Sequence, residues 1–137
     1  MSDEKIHAEA VAGVARKLRA HEGIAALVPD RVFGPAEQAA GDHAGHRRCV
    51  LLTPGKKYGP PAGPAPLYVQ RDVKVECRAE SQEVLHLLLE AVMRALNGSL
   101  GGQGGGYEQA VLTHTGHEDG GDGWVSRRDV YGLFCRQ

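Results

Sequence analysis

Leu67-Tyr68-Val69-Gln70-Arg71-Asp72-Val73-Lys74-Val75-Glu76-Cys77-Arg78-Ala79 decides the fold. Leu67, Val69, Val73, Val75, Cys77 and Ala79 share one parity, interrupted only by Arg71. Tyr68, Gln70, Asp72, Lys74, Glu76 and Arg78 take the other. Successive side chains on a strand point to opposite faces, so the stretch predicts a long strand with one buried and one wet face. Ser81 follows as an N-cap with Glu83 in the first turn. Val84, Leu85, Leu88, Val92 and Leu96 then recur at helical spacing up to Asn97-Gly98, which predicts a helix over 82–97. A half-wet strand leading into a one-sided helix calls for a sheet with its helices on one face.

Upstream, Ile6, Ala10, Val14 and Leu18, with Val11 and Ala15 beside them, predict a first helix over about 4–21, ended by Gly23. Ile24 to Val28 reads as a short apolar turn, Arg31-Val32-Phe33 as a short strand and 34–47 as a loop. Cys49 to Thr53 is a continuous apolar run, expected to be a central strand that Pro54-Gly55 ends. Downstream, 98–106 is a Gly-rich connection, 107–115 a loosely patterned strand, 117–123 a polar, acidic turn and 124–135 the final strand. The expected order is α-β-β-β-α-β-β. This is an α+β fold: a mixed, largely antiparallel sheet with helices packed on one face. A single domain is expected over 1–137, with a Pro-rich hairpin excursion at 54–66.

Sixteen basic against 17 acidic residues argue against nucleic-acid binding driven by bulk charge. No apolar run is long enough to span a membrane, and the charged start Met1-Ser2-Asp3-Glu4-Lys5 lacks a signal-peptide core. Cys49, Cys77 and Cys135 all fall in expected strands and read as reduced core thiols of a cytosolic chain.

The remaining motifs carry little chemistry. Gly102-Gln103-Gly104-Gly105-Gly106 imitates a phosphate loop, but it follows a helix and precedes a strand, the reverse of what such a loop needs. His114, His117, Glu118, Asp119 and Asp122 form one loose set of metal-ligand types, and His43, His46 and Cys49 another; neither has the paired spacing of a structural zinc site. Ser99 and Ser126 lack elbow glycines, and Pro61-Ala62-Gly63-Pro64 is a PxxP without a basic anchor. No catalytic residue, cofactor or metal is therefore assigned, and no enzyme activity is expected. The residues expected at an interface are Lys56, Lys57 and Tyr58 on the Pro-rich excursion, with Lys74 and Glu76 on the wet face of the long strand.

The phrases Ile24-Ala25-Ala26-Leu27-Val28-Pro29-Asp30-Arg31-Val32-Phe33, Ala91-Val92-Met93-Arg94-Ala95-Leu96-Asn97-Gly98 and Asp129-Val130-Tyr131-Gly132-Leu133-Phe134-Cys135, set in this element order, carry a resemblance. The chain resembles the tail-completion or tail-terminator proteins of tailed phages over most of its length, departing at 34–47 and 54–66. The resemblance implies a homohexameric ring in the virion, assembled in the host cytoplasm. Such a ring would cap the tail tube at the head–tail interface, end tube polymerisation and meet the head connector or neck protein. DNA would pass through its lumen without specific binding, and no membrane would be involved. A neck or head-completion protein of the same junction is the alternative, and a small cytosolic enzyme or metal-binding protein a more distant one.

Overall fold

The computed structural model describes residues 2–58, 68–98 and 106–136. Helix α1 (Asp3–Ala20) is capped by Ser2, whose hydroxyl accepts from the Lys5 amide, and carries Asp3 and Glu4 in its first turn. It ends at His21, not Gly23. His21 is extended, donates its amide to Leu18 and accepts from Ala25, so it closes α1 and opens α2 (Glu22–Leu27). The expected apolar turn at 24–28 is thus mostly this second helix. Strand β1 (Val32–Phe33) leads to a short helix α3 (Pro35–Ala39) with Pro35 in its first turn, inside the expected 34–47 loop.

Strand β2 runs Cys49–Lys57 and β3 runs Tyr68–Ala79. Helix α4 (Gln82–Leu96), capped by the Ser81 hydroxyl, returns across the sheet to β4 (Gln109–His114), β5 (Glu118–Gly121) and β6 (Trp124–Arg136). The sheet order is β1-β2-β3-β6-β4, with β5 also paired to β6. Only β1 and β2 are parallel; the other pairings are antiparallel. The fold is α+β, with the helices on one face. Val50, Leu52, Val73, Val75, Cys77, Tyr131 and Leu133 meet Val11, Val14 and Leu18 of α1 and Leu85, Leu88, Val92 and Leu96 of α4 in one core.

Three expectations are corrected by the tertiary structure. Pro54-Gly55 does not end β2. Val50 donates its amide to Arg31, and Leu52 accepts from the Gln38 side chain, so even-numbered β2 residues turn their backbone groups away from β3. The nitrogen of Pro54 therefore faces the open side of β2, where β1 is too short to reach, and no ladder bond is lost. Strand β2 accordingly runs on to Lys57, and residues 59–67 of the expected excursion lie outside the described residues. The acidic segment 117–123 is not only a turn. Glu118–Gly121 pairs with Trp124–Arg127 through a hairpin whose Gly123 has φ +77°. Finally, Arg71 does not interrupt the inward parity. It points in with its neighbours and is buried against Asp3 at the start of α1.

Between Pro54 and Lys57 the register of β2 on β3 shifts by one residue. Tyr58 donates its amide to Gln70, so the Asp72 carbonyl also points toward β2, at the bulge. His7 of α1, itself buried, places Nε2 2.7 Å from that carbonyl. A carbonyl only accepts, so Nε2 carries the proton, and the helix supplies the bond that the bulge removed.

Candidate assembly surface

The face of the sheet away from the helices is built from one parity of three strands. It comprises Tyr68, Gln70, Asp72, Lys74, Glu76 and Arg78 of β3. From β6 it takes Trp124, Ser126, Arg128, Val130, Gly132, Phe134 and Arg136, and from β4 Gln109 and Val111. At the β1–β2 end the face is covered. Segment 40–47 lays His43 and His46 against Phe33, with ring centroids 6.4 Å and 5.7 Å away, over Cys49 and Leu51. The loop at 34–47 thus gives a second, small core its roof. Over β3, β6 and β4 no described element covers the sheet.

The wet face is less wet than alternation predicts, because its carboxylates lie underneath its cations. Asp72 is 5 % exposed and accepts from the Tyr58 hydroxyl at 3.2 Å and from Gln70 Nε2 at 3.0 Å. The Glu76 side chain, 13 % exposed, is bridged by Arg78 and by Arg128 at 3.0 Å, whereas the Arg128 side chain is 59 % exposed. Arg78 also lies 5.6 Å from the Trp124 ring. Lys74, half-buried, has no ion pair among the described residues. Solvent therefore meets Arg128 and Arg136 more than it meets Asp72 and Glu76.

Aromatic area accompanies the charge. Tyr58 and Tyr68 are each 40 % exposed, and Lys56 Nζ sits 5.0 Å from the Tyr58 ring centroid. The Asp72 carboxylate, followed by partial burial, raises the Tyr58 phenol above its ordinary pKa, so it stays a neutral donor to that carboxylate. Beside Tyr68, a groove of about 330 Å³ runs between Phe134, Gln109 and Glu108.

Four of the five expected interface residues meet on this face: Lys56, Tyr58, Lys74 and Glu76. Lys57 does not. It pairs with Arg71 in the register and so turns to the helix side, where its Nζ lies 3.9 Å from Asp3. Burial opposes the Arg71 charge, but the Asp3 carboxylate together with Cys135 holds the guanidinium above its ordinary pKa. The sequence reading put Tyr68 on the wet face without counting it among the interface residues, and it did not place Arg128, Phe134 and Arg136 there. The signal was present in β6, where Trp124, Ser126, Arg128, Val130, Gly132, Phe134 and Arg136 share a parity.

The alternative sites fare differently. Among the described residues no three His, Cys, Asp or Glu side chains converge as metal ligands. Glu118 meets His86 of α4 at 2.8 Å, and His43 and His46 pack on Phe33. Of the glycine run, 99–105 lies outside the described residues. All three cysteines are buried, and burial raises each thiol above its ordinary pKa. Asp129, buried and cross-strand from Val75, is held by Arg127 through paired bonds of 3.0 Å and 2.9 Å and by the Gly116 amide at 3.1 Å. That network consolidates β6 rather than opening a site. Among the described residues no helix is long and apolar enough to cross a membrane. No family model matches the chain, and no curated protein matches it.

Proposed function

We infer that this chain is a structural protein of a phage tail. On this reading it assembles as a homohexameric ring at the head–tail interface. The ring caps the tail tube, ends its polymerisation and offers its other side to the head connector, with DNA passing through the lumen. The observation that carries the reading is the one-sided sheet. A helix layer seals one face, and the other presents tyrosines and cations over β3 and β6 with no described element on it. Tyr and Arg are the residue types that dominate protein–protein contacts when desolvated. The buried thiols and the consumption of Asp129, Glu76 and Asp72 in internal bonds suit a scaffold better than a catalyst. The element order that carries the resemblance to tail-completion proteins supports the same reading, and placement in the virion follows from it.

Native mass spectrometry and negative-stain imaging of the purified protein test this directly. Rings, and tail tubes of defined length when the protein is added during tube growth, are expected. A monomer at every concentration, with tubes growing unchecked in its presence, would refute it.

A further inference from the structure

A second surface has the opposite character. At the β1 edge, where α1, α2 and α3 meet, a concavity of about 390 Å³ has an apolar floor of Ile24, Ala25, Val28 and Phe33. Its rim carries Asp30, Glu37 and Asp42 around a single cation, Arg19. Arg19 is spent internally, on the Val32 carbonyl at 2.7 Å and on Glu37 at 2.9 Å. Asp30 and Asp42 are exposed and have no ion pair among the described residues. The rim therefore shows solvent two carboxylates without an ion pair, while on the open sheet face Lys56, Lys74 and Arg136 have no ion pair among the described residues and Arg128, paired with Glu76, keeps its side chain 59 % exposed.

We propose that these two surfaces are the halves of one contact between copies of this chain: the open face of one subunit, with Lys56, Lys74, Arg128 and Arg136, docks on the Asp30–Asp42 concavity of the next. The proposal rests on the ring reading and names the contact that builds the ring. Three observations choose a second copy as the occupant. The two surfaces are complementary in sign, and the tyrosines of the face, Tyr58 and Tyr68, match a concavity in which Ala25 is exposed over the buried Ile24 and Val28. They lie on different parts of the molecule, the β1 edge and the open face over β3 and β6, so the contact is heterologous and repeats head to tail, as a closed ring requires. The chain as a whole is slightly acidic, with formal net charge −1, which disfavours DNA as the occupant of the basic face.

Charge exchange tests this. One variant carries Asp30→Asn and Asp42→Lys, the other Lys56→Glu and Arg136→Glu. Asn keeps the left-handed backbone of Asp30, whose φ is +57°. Each variant is checked for a native circular dichroism spectrum and then weighed by sedimentation in low-salt buffer. Alone, each sets like charge against like, and self-association is expected to weaken by about tenfold or more. Mixed, they present opposite charges at both kinds of junction, and the wild-type assembly should return. Two misfolded variants would not rescue each other. Assembly of either variant at wild-type strength, or loss in both without rescue on mixing, overturns the proposed contact. Wild-type rings then keep the ring reading intact, whereas a wild type that never associates sinks both. A mobility shift of duplex DNA by the wild type that the Lys56→Glu, Arg136→Glu variant loses, with its assembly unchanged, assigns the face to nucleic acid and also overturns the contact.

Discussion

Placing the same incoming side chain at two adjacent β3 positions tests the register of the whole sheet. Val75 is 1 % exposed, between Leu52 of β2 and Asp129 of β6, under the helix layer. Lys74, one residue earlier, lies on the open face between Thr53 and Val130. Val75→Gln forfeits roughly 1.5–2 kcal/mol of apolar burial. It also buries an amide whose cross-strand neighbour, the Asp129 carboxylate, is already bound to Arg127 and Gly116, so part of its hydrogen-bonding capacity goes unmet, at a further cost of about 1–3 kcal/mol. Its extra length crowds a packed site by about 1 kcal/mol or more. The sum, about 4 kcal/mol or more, compares with a total stability of roughly 5–15 kcal/mol. For a domain of this size it should lower the melting temperature by roughly 15 °C or abolish cooperative folding. Lys74→Gln keeps its polar end in water and should stay within about 0.5 kcal/mol of wild type. Thermal and urea melts followed by circular dichroism, at one protein concentration so that assembly does not confound them, measure both. Melting temperatures within a few degrees of each other would mean that β3 is not two-faced, and the assignment of the open surface would fall with it.

Gly106→Ala should destabilise more than Gly41→Ala. Both glycines have positive φ, +78° and +81°, which costs a side chain about 1–2 kcal/mol. At Gly106 the new Cβ would also lie 2.9 Å from the Glu9 backbone of α1, whereas at Gly41 nothing lies within 4 Å. Equal losses in urea melts would show that the close approach of Gly106 to α1 does not exist in solution. Acid titration should expose the link from Arg48, just before β2, to Glu80 between β3 and α4. The Arg48 guanidinium, with the residue's own amide, holds Glu80 below the ordinary carboxylate range. A depressed folded-state pKa contributes stability that is fully present above the unfolded value and is lost as pH falls through the folded one. The contribution should therefore fade as pH falls from the ordinary carboxylate range through the lowered folded-state pKa. Arg48→Gln should flatten that acid limb while leaving the slope above about pH 6 unchanged, as read from melting temperature against pH; an unaltered acid limb would contradict the pairing.

The strand at 68–79 and the helix at 82–96 were fully legible in the sequence. Alternation and 3.6-residue periodicity are local, and one strand with a buried and an open face beside one amphipathic helix already dictates a sheet with helices on one side. The single-sided architecture and the surface carrying Tyr58, Lys74 and Glu76 follow from that. What the neighbours decided was not local. Whether Pro54 sits inside a strand depends on which edge its nitrogen faces, and that is set by how short β1 is. Whether Lys57 joins Lys56 on the open face depends on a one-residue bulge against β3, which sends it to Asp3 instead. Glu118–Gly121, poor in strand formers, becomes β5 because β6 offers it a ladder. Arg71 reads as a break in the pattern until Asp3 arrives from α1, 68 positions away in sequence, to meet it in the interior. The charge that the open face presents was hidden for the same reason. A linear count finds acids and bases balanced, and only cross-strand neighbours put Asp72 beneath Tyr58 and Glu76 beneath Arg128. Periodicity fixes which way a side chain points; what it meets there depends on strands distant in sequence, brought alongside by the core.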